Sequence, residues 1–182
     1  MKMHTFTVYV EDRPGVLNRV SSLFRRRGFN IVSLAVGHSE TPGVSRMTIV
    51  VQTDAGGAHR IEAHLYKLIH VIRVEDITER PAVIRDLALI KVSADPTSRP
   101  PIMQLAEVFG ARVVDVAPAS LVIEMAGSEA KIDGLLDVLR PYGVLEMVRT
   151  GRVAMSRGEG SRSTGAGPTA VPEHEAGVSY SV

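Results

Sequence analysis

The chain has 182 residues and a mass of 19.6 kDa, enough for one medium domain or two small ones and too little for a large multidomain enzyme. Its 21 Lys and Arg nearly balance 20 Asp and Glu, which argues against a broad electrostatic footprint for nucleic acid or an anionic membrane. The absence of cysteine excludes disulfide scaffolds, thiolate zinc sites, iron–sulfur clusters and cysteine nucleophiles, and it fits a cytoplasmic location.

Residues 4–10, His-Thr-Phe-Thr-Val-Tyr-Val, are β-branched and aromatic with rough alternation and predict a strand. They carry no apolar h-region of a secretory signal, and no window of about 18 apolar residues predicts a membrane span. After the turn cluster Glu11–Gly15 the period changes. Val16, Leu17, Val20, Leu23 and Phe24 fall on one helical face, and Gly28 is placed to cap its end. Residues 30–37 predict a second strand and 45–53 a third, joined through the turn Glu40–Gly43. Ile61, Leu65, Leu68 and Ile69 mark a second helix, with Gly56 and Gly57 read as a turn before it, and 71–77 predict a fourth strand.

The order β-α-β-β-α-β then recurs. Residues 87–92 predict a strand, and Ile102, Leu105, Ala106 and Phe109 a helix starting just after Pro100 and Pro101. Strands follow at 113–116 and 120–125. A helix marked by Ile132, Leu135, Leu136 and Leu139 must stop before Pro141, and a last strand spans 143–149. Matching elements are offset by about 70 to 80 residues, one supersecondary unit. The fold class is therefore α+β, with two ferredoxin-like βαββαβ modules at 1–79 and 82–157. The remaining stretch, 158–182, is rich in Gly and Ser without apolar periodicity and reads as a disordered tail.

A small module with both helices on one sheet face leaves its other face and two edges open. The second strand is nearly all apolar, with Ile31, Val32, Leu34, Ala35 and Val36, the pattern of a strand buried on both faces. Pairing of the N-terminal modules into a homodimer explains that pattern.

Candidate chemistry is sparse. The loop Asp12-Arg13-Pro14-Gly15-Val16-Leu17 leads into a helix N-terminus, where free N–H groups and the dipole favour a carboxylate or phosphate. Gly15 lets a ligand approach the backbone, and Asp12 serves either as a helix cap or as a partner for an ammonium group. A plain capped turn is the other reading of this loop. Asn30 either satisfies its own turn or faces a subunit interface. Arg25, Arg26 and Arg27 complement the helix C-terminus as a solvated face. His59 and His64 are five apart and share no helix face, so no metal site is expected. There is no P-loop and no Rossmann fingerprint. Arg149–Arg157 is basic and partly apolar, a C-terminal extension able to dock on a partner.

With Asp-Arg-Pro-Gly-Val-Leu between strand and helix, the first module resembles an ACT domain, an amino-acid-sensing module. The longer runs Glu11–Val20, Leu23–Leu34, Ser45–Ile49, Leu65–Val74, Arg85–Val92, Val114–Pro118 and Arg149–Gly158 are similar to the regulatory subunit of acetolactate synthase, also called acetohydroxyacid synthase. The resemblance implies a subunit without catalysis or cofactor of its own. It implies a large catalytic partner that carries thiamine diphosphate, Mg²⁺ and FAD and joins two pyruvates, or pyruvate and 2-oxobutyrate, in valine, leucine and isoleucine biosynthesis. The small subunit then activates that partner and confers feedback inhibition, usually by valine.

By motif position, the implied valine site joins Asp12, Gly15, Val16 and Leu17 of one chain to Asn30, Ile31 and Val32 of a second, across an ACT–ACT dimer. Relatives often carry Asn at the position of Asp12. The resemblance gives the second module the contact with the catalytic subunit. Three rivals stand beside this reading. An amino-acid sensor of another pathway shares the fold. An RNA-binding module shares the strand order but needs stacking aromatics, and residues 46–52 hold none. A stand-alone enzyme would need a site not recognisable in the sequence.

Overall fold

The computed structural model describes residues 1–158, so all but the first residue of the stretch read as a tail lies outside the described residues. In chain order the elements are β1 (Lys2–Glu11), α1 (Val16–Arg26), β2 (Ile31–His38), β3 (Val44–Thr53), α2 (Ala55–Leu65) and β4 (Val71–Asp76), followed by β5 (Ala82–Ser93), α3 (Arg99–Val108), β6 (Arg112–Ala117), β7 (Ser120–Gly127), α4 (Glu129–Leu139), a short 3-10 turn (Arg140–Tyr142), β8 (Val144–Arg149) and β9 (Val153–Ser156). The first sheet runs β2-β3-β1-β4 and the second β6-β7-β5-β8, with β9 added to β5. The two βαββαβ modules expected from the repeat are present.

Alternation builds each core. In β1, Phe6, Val8 and Val10 point to the helices, where they meet Val20 and Phe24 of α1, Ile61 and Leu65 of α2, and Ile49 and Val51 of β3. The second core repeats this with Ile90, Val92, Ile102, Ile123, Ile132 and Leu135. Fully burying one such side chain stabilises by about 1.5–3 kcal/mol.

The ends of α1 and α3 follow one rule. Gly28 (φ 70°) takes the left-handed position after α1, and Phe29 N–H donates to Phe24 C=O while Gly28 N–H donates to Arg25 C=O. Gly110 (φ 66°) does the same after α3, with Ala111 N–H on Ala106 C=O. This pair of bonds is the Schellman ending, which satisfies carbonyls the helix leaves free.

Three expectations are corrected. Gly56 and Gly57 lie inside the first turn of α2, not before it. Asp54 caps that helix by accepting from Gly57 N–H at 2.6 Å, and a Cβ at residue 57 would collide with Thr53 Oγ1, so the glycine is needed for packing. The same helix ends at Leu65, which leaves Ile69 outside it and exposed. Helix α3 starts at Arg99, so both prolines sit in its first turn, where a missing N–H costs no intrahelical bond. Within one chain β2 is an edge strand, with Val32 (47%) and Val36 (46%) exposed.

The helix-free face of the first sheet is not open either. Ser33, Val50 and Thr5 form one cross-strand row on it. Arg152 spans that row, its backbone N–H donating to Ser33 Oγ at 2.9 Å and its Nη1 to Thr5 Oγ1 at 3.4 Å. Arg46 from β3 donates to Ala154 C=O. The segment read only as an extension is thus a strand, β9, paired to the start of β5 and laid over the first module. Gly151 (φ 81°) makes the close approach possible, because a Cβ there would stand 2.5 Å from Ser33 Oγ. Gly151→Ala is expected to destabilise the protein by ~2–3 kcal/mol, from a left-handed non-glycine residue and the overlap together. Urea unfolding reads this as a lower midpoint, and an unchanged midpoint would show that the segment is not seated here.

Candidate functional site

The loop from β1 to α1 is held at both shoulders. Glu11 N–H donates to His70 C=O at 2.9 Å, and Asp12 N–H donates to Gly43 C=O at 2.8 Å. The Glu11 carboxylate receives His70 Nδ1 at 3.0 Å and Arg13 Nε at 2.7 Å. His70 adopts φ 77°, a left-handed conformation that few non-glycine residues take. The loop is therefore built as a fixed rim.

Gly15 (φ 82°) is the N-cap of α1, and no side chain caps the helix. This corrects the capping role considered for Asp12, whose carboxylate lies 3.4 Å from His38 Nδ1 instead. The first turn of α1 holds no acidic residue, while Arg25 and Arg26 sit in its last turn. The positive end of the helix dipole thus meets no fixed negative charge at its own first turn. Val16 is buried in the core, whereas Leu17 is 43% exposed beside the free turn.

The corresponding turn of the second module is closed. The Asp95 carboxylate accepts from Thr97 N–H at 2.8 Å and Ser98 N–H at 2.7 Å, and from both their hydroxyls. These bonds, led by the Ser98 amide, hold the Asp95 carboxyl far below its ordinary value. Pro100 and Pro101 bring no N–H of their own, and Arg99 Nη2 ties the turn to Ala117 C=O at 2.7 Å. Two turns of one architecture thus differ in chemistry: the first offers donors to a ligand and the second has used them.

Asn30, Ile31 and Val32 open β2 at the other end of the sheet. Ile31 pairs with Val51, which lies near His4 across β3, while Glu11 pairs with Val44. At about 3.3 Å per residue, the span from His4 to Glu11 separates the two groups by roughly 23 Å. One chain does not bring Asp12, Gly15, Val16 and Leu17 together with Asn30, Ile31 and Val32. Asn30 is exposed, Ile31 packs partly on the core, and Val32 stands out at a bulge on the free edge.

Sequence reasoning missed a cleft of about 310 Å³ between the modules, lined by Val32, Leu34, Val50, Asp86, Glu129, Arg149 and Arg152 among others. Asp86 was legible as a polar residue in phase with the buried Ala88, Ile90 and Val92. Among the described residues no group of three or more His, Asp or Glu could hold a metal ion, and no helix is long and apolar enough to cross a membrane.

Comparison with known proteins agrees with this geometry across both modules. Residues 6–73 match the family described as the AHAS small subunit-like ACT domain, and residues 85–158 match the family described as the small subunit of acetolactate synthase. The acetolactate synthase small subunit of Mycolicibacterium smegmatis is 52% identical over 155 residues, 85% of this chain and 91% of that one. A probable acetolactate synthase small subunit of Archaeoglobus fulgidus is 50% identical, over 85% of this chain and 97% of its own length. The crystal structure of the acetolactate synthase small subunit from Thermotoga maritima superposes with a TM-score of 0.81 at 40% identity, covering 86% of this chain and 98% of that one. A shared fold, a shared length and identity of this order in both modules mean that the chain belongs to the family of acetolactate synthase small subunits.

Proposed function

We propose that the chain is the regulatory subunit that binds and activates a thiamine-diphosphate-dependent catalytic subunit in the cytoplasm and makes it sensitive to valine. The observation that carries this reading is the contrast between the uncapped start of α1 and the closed start of α3. The open turn has the chemistry of an α-carboxylate receptor: free helix N–H groups, a positive dipole end and a glycine that admits close contact. The Asp12 carboxylate suits an ammonium group, and Leu17 and Val32 supply apolar surface for an isopropyl side chain.

The roughly 23 Å between the loop and the start of β2 supports a site whose two halves come from different chains. A homodimer that pairs β2 edges covers Val32 and Val36 and brings the loop of one chain toward Asn30, Ile31 and Val32 of the next. The second module, its own turn closed, is left for contact with the catalytic subunit. Thiamine diphosphate, Mg²⁺ and FAD belong to that partner.

Titrating the matching catalytic subunit with this protein tests both roles, with acetolactate formation as the readout. The expected result is a severalfold rise in rate that saturates with added chain and is reversed by valine. Activation without inhibition would keep the partner and reassign the effector. No change in rate would overturn the reading in favour of an amino-acid sensor of another pathway.

A further inference from the structure

We propose that the exposed face along β5 and β9 is the surface that docks on the catalytic subunit. It is an apolar strip fitted to an apolar protein surface that carries a carboxylate opposite Arg85. The inference rests on the reading that this chain activates such a subunit, and it names the surface. Strand β5 is twelve residues long, and alternation gives it two faces. Ala88, Ile90 and Val92 point into the second core. Val83, Leu87 and Leu89 point the other way, and Val83 and Leu87 are exposed.

Cross-strand partners widen the strip. On β9, Met155 pairs with Val83 and Val153 with Arg85. Ala126 of β7 pairs with Leu87, and Val148 of β8 with Leu89. Met155, Val153 and Val148 are exposed as well. From Val83 to Lys91 the strip runs roughly 27 Å, and three strands give it a width of about 14 Å, an area of about 400 Å². Exposed apolar patches of that size mark interaction sites. With a polar rim, it has the extent of the apolar centre of a standard interface, which takes about 800 Å² from each partner. The corresponding face of the first sheet is covered from within the chain. Thr5, Thr7 and Thr48 are buried there, and Arg152 lies over Ser33 and Thr5.

Charge and partner supply select the occupant. Lys91 lies opposite Glu146, and Arg112 pairs with Glu124, so the far end of the face is neutralised within the chain. Arg85 is exposed, donates only to Ile84 C=O at 2.7 Å, and has no carboxylate within ion-pair distance among the described residues. A second copy already has its place at the β2 edge. Its acidic residues on this face, Asp115, Glu124 and Glu146, lie toward the end that holds Arg112 and Lys91, away from Arg85. A small subunit of acetolactate synthase has a larger partner to meet, and that partner covers the strip. Alternation in β9 then ties the surface to the first module. Ala154 is buried and its C=O accepts from Arg46 of the first sheet, while Val153 and Met155 on either side belong to the strip. A partner seated on the strip presses on a strand that both modules hold.

Binding of the full chain to the immobilised matching catalytic subunit tests this, with acetolactate formation measured beside it. Val148→Lys and Met155→Lys change residues that are 58% and 66% exposed, so each is expected to move the unfolding midpoint by no more than about 2 °C. Each is expected to weaken binding by roughly tenfold or more, because an unpaired ammonium would be buried in the interface. Val108→Lys, at an exposed position of α3 off the strip, is expected to bind as the wild type does. Arg85→Glu is expected to bind more weakly still as ionic strength falls, and tighter binding at low salt would overturn the carboxylate assignment. Wild-type binding by both strip variants would overturn the proposal and leave the activating role standing. A wild-type chain that binds without activating, with binding lost in the strip variants, would support the surface and remove the activating role. Strip variants that keep the catalytic subunit but lower the mass of the chain's own assembly in light scattering would make the face a contact between copies and overturn the proposal.

Discussion

Gly15→Asp is expected to abolish valine inhibition of the reconstituted synthase while leaving activation in place. Residue 15 caps α1 with φ 82°, and a Cβ there meets no atom within 4 Å. The fold therefore admits the side chain at the cost of the left-handed backbone alone, about 1–2 kcal/mol. An Asp at this position places its own carboxylate over the free turn, where capping residues bond the N2 and N3 amides. It thereby occupies the place of the effector's carboxylate and repels it. A loss of ~2–3 kcal/mol of binding corresponds to a roughly 30- to 150-fold rise in the inhibitory concentration. Inhibition curves of the reconstituted enzyme read this directly. Full inhibition by valine in the variant would refute the loop as the effector site.

Removing the chain from Ala82 onward is expected to eliminate activation, because the second module is assigned the contact with the catalytic subunit. The structure adds a cost to that truncation. Thr5, Thr48 and Val50 are buried on the helix-free face of the first sheet, and Arg152 and Ala154 are among the groups that meet it. The fragment 1–81 exposes this face, so its thermal midpoint falls by several degrees even where its valine-binding dimer persists. Rate measurements with equal molar amounts of fragment and full chain decide the matter, with circular dichroism as a control for folding. Undiminished activation by the fragment would move the activating contact into the first module.

Much of this architecture was legible because period and punctuation agreed. The change from alternation in β1 to the helical face of Val16, Val20 and Phe24 marks the first crossover, and Gly28 marks its end. The same signals, repeated around Ile102 and Ile132, disclosed the second module. The errors came where tertiary packing overrides local preference. Gly56 and Gly57 look like a turn, but both lie in the first turn of α2, and at Gly57 it is Thr53 that leaves no room for a side chain. The apolar run of β2 suggested burial on both faces, but hydrophobicity does not tell which chain supplies the cover.

The site was less legible than the fold. Asp12 and Gly15 stand in a recognisable motif, but whether Asp12 caps the helix depends on backbone geometry, and Gly15 holds that position. The contacts of Arg152 with Ser33 and Thr5 join residues 119 and 147 apart in sequence. No local pattern encodes such pairs.

The placement of β9 also orders events during synthesis. The ribosome delivers the first module complete, with its helices packed, while its other sheet face still lies bare to solvent. The strand that meets that face is the last one among the described residues, and it pairs with β5, the first strand of the following module. Nearly the whole described chain must emerge before the two halves can lock. Sequence-distant closure of this kind is slow relative to local helix and hairpin formation. A nascent chain stalled short of Val153 consequently presents an unfinished, chaperone-accessible surface, and emergence of β9 converts two weak folding units into one.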